Sequence, residues 1–228
     1  MDNLTALDQS VFFFFNLKHT PFWDAAMSLF TQTQLWLVFF LTVVILIIRK
    51  YRAKAVIILV LLALAILVSD QLSNLFKDLL KRPRPTHDPE ISNLVHYALK
   101  QGGLYGFFSA HASNTFTAAT FSAFLFKNRW YSLTVFLWAL LVSYTRIYLG
   151  LHFPSDILTG WIVGFLTGLC TYRLLLFLEK HFLMLRMPKI PETRLDNKDL
   201  GYILVVFITI MVSAVVIVIR LRHYHWIS

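Results

Sequence analysis

The sequence predicts an all-α polytopic membrane protein, a bundle of six transmembrane helices that forms a single domain over residues 1–228. Three observations predict this fold class. The chain is 57% hydrophobic and 14% charged, which is more apolar surface than a water-soluble core of this length can bury. Six stretches approach the ~20 apolar residues that a helix needs to cross a bilayer. Basic residues are confined mainly to short clusters between these stretches.

The predicted spans follow one another along the chain. They cover residues 24–48, 55–77, 112–127, 130–148, 156–178 and 201–220. Before them, residues 1–20 contain the run from Phe12 to Phe15, which is too short to span a bilayer. This segment is therefore expected to lie flat at the membrane interface. No cleavable leader is expected, because Asp2 and Asp8 stand where a signal peptide carries basic residues.

Basic segments predict the orientation of the bundle. Residues 49–54, 127–129 and 179–199 all fall on one side of a six-span threading, and the positive-inside rule makes that side cytoplasmic. Residues 78–111 and 149–155 then lie together on the periplasmic side of the cell (inner) membrane. The 78–111 loop is also basic, which runs against this rule, but a loop whose cations bind phosphate has its own reason to be positive.

Composition also limits the expected partners. The net charge of +9 lies in clusters that suit anionic lipid headgroups, so membrane lipids rather than nucleic acid are the expected partners. Cys170 is the single cysteine, which excludes an intrachain disulfide and a thiolate metal cluster. The sequence points to no cofactor and to no obligatory protein partner.

Cations at the predicted periplasmic side suggest a phosphate site. Lys77, Arg84 and Arg146 each stand at or near the end of an apolar stretch. Phosphoryl transfer needs cations around the non-bridging oxygens, and arginine can bind two of those oxygens at once. For the cluster that also contains Lys81 and Arg82, a helix end whose side chains bind lipid headgroups is an alternative interpretation.

Two histidines provide candidate reacting groups. His152 precedes Asp156, which could accept a hydrogen bond from one ring nitrogen and leave the other nucleophilic, to form a phosphohistidine. His111 is the candidate general acid, which would later act as a base for water. An isolated interfacial histidine remains the alternative for His152. Zinc is a rival chemistry, but three nearby cations oppose a divalent metal, so no metal is predicted.

The segment before residues 112–127 offers further phosphate contacts. Ser109 and the backbone N–H of Ala110 could bind phosphate oxygens, because free N–H groups and the helix dipole favour an anion there. That helix has only about 16 residues, or roughly 24 Å, so its start is predicted to be recessed below the membrane surface. A recessed site would suit a headgroup that enters sideways from the lipid.

These motifs resemble the signature of the type 2 phosphatidic acid phosphatase superfamily, in particular its bacterial membrane-bound lipid phosphatases. The matching residues, in order, are Lys77, Arg84 and Pro85, then Ser109 and His111, then Arg146, His152 and Asp156. The resemblance implies a metal-independent site outside the cytoplasm, with His152 as nucleophile, His111 as acid and Asp156 as orienting group. The other polar residues would bind phosphate.

The second and third motifs depart from the usual pattern. Phe108 and Ala110 replace a proline and a glycine, and Thr145 replaces a serine. Thr145 retains a hydroxyl. Ala110 retains its N–H but adopts positive φ less easily than glycine, so the loop geometry and the substrate preference are expected to be affected.

The expected function is therefore an integral membrane phosphatase that acts on a lipid phosphate or diphosphate. Its candidate substrates are polyprenyl diphosphate, phosphatidylglycerol phosphate, phosphatidic acid and lipid A, and the motifs do not choose among them. A lipid phosphotransferase would use the same residues. A non-enzymatic lipid or anion transporter is the alternative from another class, but it gives His111 and His152 no role.

Features outside the motifs support weaker predictions. Asp70 shares a helix face with Lys77 and is predicted either to position that face or to belong to an ordinary polar seam. Residues 91–99 have the periodicity of an amphipathic helix that could gate lipid, but a simple packed loop is the preferred expectation. The remaining histidines are expected to be surface or interface residues, namely His19, His87, His96, His181, His223 and His225.

Overall fold

The computed structural model describes residues 2–99, 101–181 and 189–223, and within them the secondary structure is helical apart from one isolated bridge between Pro83 and Tyr105. The α-helices in this part are α1 (Asp2–Asn16), α2 (Pro21–Phe30), α3 (Leu37–Tyr51), α4 (Ala55–Leu80), α5 (Ala110–Phe126), α6 (Arg129–Tyr148), α7 (Pro154–His181) and α8 (Asn197–His223). Short 3-10 turns cover Thr33–Trp36, Arg52–Lys54, Pro85–His87 and Ser92–Leu94.

The first predicted span does not form one helix. The structure divides residues 24–48 between α2 and α3, with the 3-10 turn Thr33–Trp36 between them. The indole N–H of Trp36 donates to the carbonyl of Phe30 over 2.9 Å and so satisfies a group left free at the end of α2. No glycine or proline marks this break, but the polar run from Thr31 to Gln34 does, and the predicted span wrongly included it in a continuous helix. Helices α4 to α8 overlap the other five predicted spans.

Several helices have the length and the apolar surface of membrane spans. Three stretches meet both requirements among the described residues: Thr33–Leu80, which contains α3 and α4, then Pro154–His181 and Asn197–Leu221. Large apolar side chains on these helices face outward, as at Leu64, Ile162 and Val205. Outward apolar surface of this extent suits contact with lipid. The chain is therefore an all-helical membrane protein.

Helices α5 and α7 form the tightest contact in the bundle because α7 presents glycine at every fourth position. Gly160, Gly164 and Gly168 all lie against α5, and a Cβ atom added to Gly164 would stand 2.4 Å from the carbonyl oxygen of Ser113. Small residues at this spacing let two helix backbones approach closely. The packing brings the first turns of α5 and α7 side by side.

The end of the bundle opposite those first turns collects the basic segments. Lys50 contacts Asp196 and Asp199, each over 2.9 Å, and Lys54 contacts Glu179 over 2.6 Å. The backbone N–H of Leu195 donates to the carbonyl of Phe126, at the end of α5. The described parts of the three basic segments therefore lie at the same end of the molecule, as the threading requires, while residues 182–188 lie outside the described residues.

Candidate active site

A short extended segment after α4 brings two arginines to the start of α7. Residues 82–84 pair with residues 104–106: the N–H of Arg84 donates to Leu104 O over 3.0 Å, and the N–H of Gly106 donates to Arg82 O over 2.9 Å. Alternate side chains of an extended segment point to the same side. Arg82 and Arg84 accordingly both reach the segment 151–156.

His152 and Asp156 form a buried pair at the first turn of α7. Nδ1 of His152 lies 3.4 Å from Oδ2 of Asp156, and the same oxygen accepts the N–H of Phe153 over 3.0 Å. Both residues are buried, at 2% and 0% exposure. The aspartate therefore holds the side of the imidazole that carries Nδ1, as the sequence predicted.

The other nitrogen of His152 faces a cation. Arg84 Nη1 lies 3.1 Å from His152 Nε2 and also donates to the carbonyl of Leu151 over 3.0 Å. A guanidinium can only donate, so Nε2 must be the acceptor and the ring proton must sit on Nδ1, toward Asp156. Burial first, and then the nearby cations, lower the pKa of His152 well below its usual value. The resting imidazole is therefore neutral, and its lone pair lies on Nε2, where it accepts from Arg84.

Unpaired donors on two arginines indicate a site for an anion. The Nε atoms of Arg84 and Arg146 are both buried and have no hydrogen-bond partner among the described residues. Arg146 is held from the side by Thr31 Oγ1, which accepts its Nη1 over 2.8 Å. Buried N–H groups without partners are costly, and a bound anion would satisfy them. Lys77 belongs to the same electrostatic cluster.

The start of α5 faces this cluster. Ser109 is the N-cap of α5 and accepts a long hydrogen bond, 3.5 Å, from the N–H of Ala112, while its own N–H donates to Asp156 O over 3.1 Å. Ala110 is the first residue of α5 and is not among the residues with positive φ. Alanine therefore fits this position without the backbone freedom of glycine. His111 follows on the exposed side of the first turn.

Two cavities meet at His111. One has a volume of about 500 Å³ and is lined by Arg84, His111 and Arg146, with Gly102 and Leu151. The other has a volume of about 410 Å³ and runs from His111 and Thr31 between α3, α5 and α6 as far as Ile47. The walls of the second cavity are mostly apolar, with polar side chains such as Asn114 and Ser122 among them. A polar pocket and an apolar cavity thus meet at one histidine.

Sequence reasoning missed one contact to Asp156. Arg82 Nη1 lies 3.0 Å from Asp156 Oδ1, and Arg82 Nη2 lies 2.6 Å from Asp8 Oδ2 on α1. For Arg82 the sequence analysis offered only the alternative of a lipid-binding helix end. Asp8 lies 74 residues away in the chain, so no local pattern indicated this pair.

Residues 91–99 form a packed loop, which the sequence analysis favoured over an amphipathic gate helix. Their secondary structure is limited to the 3-10 turn Ser92–Leu94, and Ile91 and Val95 pack inward. Burial of these two side chains accounts for the apolar periodicity. His96 is not simply a surface residue, since its Nε2 lies 2.8 Å from Asp24 Oδ1 and its ring stacks on His19 at 3.6 Å.

Asp70 makes contacts that suit a helix seam. Its Oδ1 accepts from Asn114 on α5 and its Oδ2 accepts from Asn74, each over 3.3 Å. Asp70 also interacts electrostatically with Lys77. A supporting role for Asp70 in catalysis stays a prediction.

The fold and the site define a class of protein, an all-helical membrane protein with a histidine and a cluster of cations at one end of its bundle. Known proteins share this plan. The PAP2 superfamily profile matches residues 54–180, more than half of the chain. The chain belongs to the PAP2 superfamily, and the resemblance seen in its three motifs is confirmed.

Individual relatives match over most of their length. A lipid A 4'-phosphatase of Bacteroides thetaiotaomicron is 40% identical over 174 residues, which cover 74% of this chain and 77% of that protein. A lipid A 4'-phosphatase of Porphyromonas gingivalis is 30% identical over 195 residues, 84% of this chain and 83% of that protein. The crystal structure of Aquifex aeolicus LpxE matches with a TM-score of 0.59 and 26% identity, and covers 73% of this chain and 95% of that one.

Proposed function

We propose that this chain is an integral membrane phosphatase that hydrolyses a lipid phosphate through a phosphohistidine on His152. The observation that carries the proposal is the orientation of His152, whose Nδ1 faces Asp156 and whose Nε2 faces Arg84. A neutral imidazole held beside cations is an oriented nucleophile for phosphorus. A transporter would need the cations but not an oriented imidazole.

The proposed reaction has two steps. Nε2 of His152 attacks phosphorus while the bond from phosphorus to the lipid oxygen breaks, and His111 gives its proton to that oxygen. Water then attacks the phosphohistidine, His111 takes a proton from the water, and the N–P bond breaks to release inorganic phosphate. Arg84, Arg146 and Lys77 hold the non-bridging oxygens throughout. Ser109 and the N–H of Ala110 complete the phosphate site. No step requires a metal.

We propose a lipid A phosphate as the substrate class. Two relatives, each of which matches this chain over more than two thirds of its own length, are lipid A 4'-phosphatases. The apolar cavity beside His111 supports a lipid substrate, because its volume of about 410 Å³ is large enough for part of an acyl chain. Polyprenyl diphosphate, phosphatidylglycerol phosphate and phosphatidic acid are the substrates against which lipid A must be compared.

We further propose that the bundle has six spans and that the active site opens on the periplasmic side of the inner membrane. The grouping of the basic segments at the other end supports this orientation. Glu90 lies on the exposed part of the 85–106 loop. A Glu90→Cys variant in a Cys170→Ser background should be labelled in intact cells by a reagent that does not cross the inner membrane. Labelling only after lysis would reverse the proposed orientation.

The function is tested by release of inorganic phosphate from purified protein in detergent, with EDTA present. We expect release from lipid A to exceed release from the other three lipids. We also expect the His152→Asn variant to lose at least about 1,000-fold in rate, since the nucleophile is absent. His87→Asn is the matched control and should keep normal activity, because among the described residues the side chain of His87 forms its hydrogen bond with the neighbouring Thr86 hydroxyl.

The outcomes separate the candidate functions. Loss of release in EDTA that zinc restores would contradict the metal-free mechanism. Transfer of the phosphate to an added lipid, without release, would identify a phosphotransferase. Equal activity in His152→Asn and the unmodified protein would reject His152 as the nucleophile.

A further inference from the structure

Arg82 joins the candidate catalytic aspartate to the N-terminal helix. One arm of its guanidinium donates to Asp156 Oδ1 over 3.0 Å and to Ser155 Oγ over 2.6 Å. The other arm donates to Asp8 Oδ2 over 2.6 Å. The side chains of Asp8 and Arg82 are 10% and 29% exposed, so water screens this network only in part.

Hydrogen bonds to both oxygens fix the orientation of the Asp156 carboxylate. Arg82 occupies one carboxylate oxygen, while the N–H of Phe153 and Nδ1 of His152 share the other. A carboxylate held at both oxygens cannot rotate about its last bond without breaking a buried hydrogen bond. The direction of the His152 ring is therefore set through Arg82 as well as through Asp156.

Asp8 in turn holds Arg82 in place. Its carboxylate also accepts from the N–H of Ser155 over 2.9 Å and from the hydroxyl of Ser155 over 2.5 Å, so it binds the same turn of α7. The guanidinium also lies over the ring of Phe153, 4.4 Å from its centroid. Without Asp8, Nη2 of Arg82 would lose its carboxylate partner, and the anionic substrate would then compete with Asp156 for the guanidinium.

We propose that Asp8 and Arg82 are positioning residues of the reaction, which act through Asp156 to keep Nε2 of His152 aimed at the phosphate. The inference rests on the proposed function, since it takes His152 as the nucleophile. Helix α1 thereby becomes part of the active site. Helix α1 also exposes large apolar side chains, at Leu4, Leu7 and Phe14, so the helix that completes the site also lies against lipid.

A double-mutant cycle tests the chain of contacts. We expect Arg82→Met to lower kcat by about 10- to 100-fold with KM changed less than about threefold, because substrate still binds but the nucleophile is misdirected. Asp8→Asn should lower kcat by a smaller factor. In the Arg82→Met background Asp8→Asn should have little further effect, because Asp8 acts through Arg82. Lysine cannot reach both carboxylates with a planar fork, so Arg82→Lys should restore kcat only in part.

Matched variants separate positioning from folding. Arg49→Met removes an arginine whose aspartate partner, Asp199, lies 3.7 Å away at the other end of the molecule. Ser10→Ala changes an exposed residue of α1 whose hydroxyl donates to Ala6 O within the same helix. Both should keep normal kcat. Thermal unfolding in detergent should show Arg82→Met fully folded at the assay temperature.

Three results would overturn the inference. These are a normal kcat in Arg82→Met, equal effects of Asp8→Asn with and without Arg82, and a fall in kcat that merely follows the fraction of unfolded protein. Each result is interpreted together with the activity of the His152→Asn variant. If His152→Asn is inactive while Arg82→Met is normal, the inference fails and the proposed function stands; if His152→Asn is active, the proposed function itself fails.

Discussion

Replacement of Gly164 by alanine should separate the two helices that carry the active site. The new Cβ atom would stand 2.4 Å from Ser113 O and 2.7 Å from Phe116 Cβ, both on α5. The nearest atom belongs to the backbone and cannot rotate away, so α5 and α7 must move apart by about 1 Å to reach ordinary van der Waals contact. Overpacking of this kind costs about 1–3 kcal/mol, partly offset by the better helix propensity of alanine.

The displacement also acts on the reaction. Ser113 lies two residues beyond His111, so a shift of α5 moves the candidate acid relative to His152. A misplacement of about 1 Å between reacting groups can cost about 100-fold in rate. We therefore expect Gly164→Ala to lower kcat/KM by at least about tenfold and to lower the unfolding temperature. Phosphate release and thermal unfolding of the same preparation in detergent would measure both effects.

Gly201 provides the matched control, because a Cβ atom added there meets nothing within 4 Å. Gly201→Ala should keep full activity and should unfold at the same temperature or slightly higher. If Gly164→Ala behaved in the same way as Gly201→Ala, close packing of α5 on α7 could not be what positions the site.

Three further predictions concern the site itself. The midpoint of the acid limb of kcat/KM should lie below pH 6.5, because burial and the nearby cations lower the pKa of His152. Arg84→Gln should move this midpoint to higher pH, because loss of the Arg84 cation stabilises the imidazolium, and an unchanged midpoint would contradict this cause. Ser122→Leu fills part of the apolar cavity and should raise KM for long-chain lipids at least about fivefold, while KM for a water-soluble phosphate ester should not change. Equal effects on both substrates would show that the cavity does not bind the acyl chain. Thr31→Val removes the acceptor that holds Arg146 and should lower kcat/KM by about 3- to 10-fold, and normal kinetics would reject this support.

Much of the fold was predictable because long apolar runs report directly on membrane helices. The boundaries of α4 to α8 follow from them. The break between α2 and α3 falls on the polar run from Thr31 to Gln34, which the predicted span included in an apolar stretch, and the contact from Trp36 to Phe30 stabilises it. The inward packing of Ile91 and Val95 gave a helical periodicity to a loop, and only the surrounding structure distinguishes the two.

The candidate site, like the fold, was predictable from the sequence only in part. The motifs predicted which side chains belong together, and the structure places Arg84, His152 and Asp156 in contact. Their catalytic roles remain predictions. The contact between Asp8 and Arg82 joins segments 74 residues apart, so it could be found only once α1 was folded onto α7. The glycines at 160, 164 and 168 were visible in the sequence, but their partner helix was not.

A trapped phosphohistidine is the most direct test of the central claim. The substrate would be ³²P-labelled nitrophenyl phosphate, whose leaving group needs no protonation, and the protein would be the His111→Asn variant, which lacks the base for the second step. The account predicts a burst of about one nitrophenolate per protein and an acid-labile label on the peptide that contains His152. Steady turnover without a burst, or a label on any residue other than His152, would contradict it.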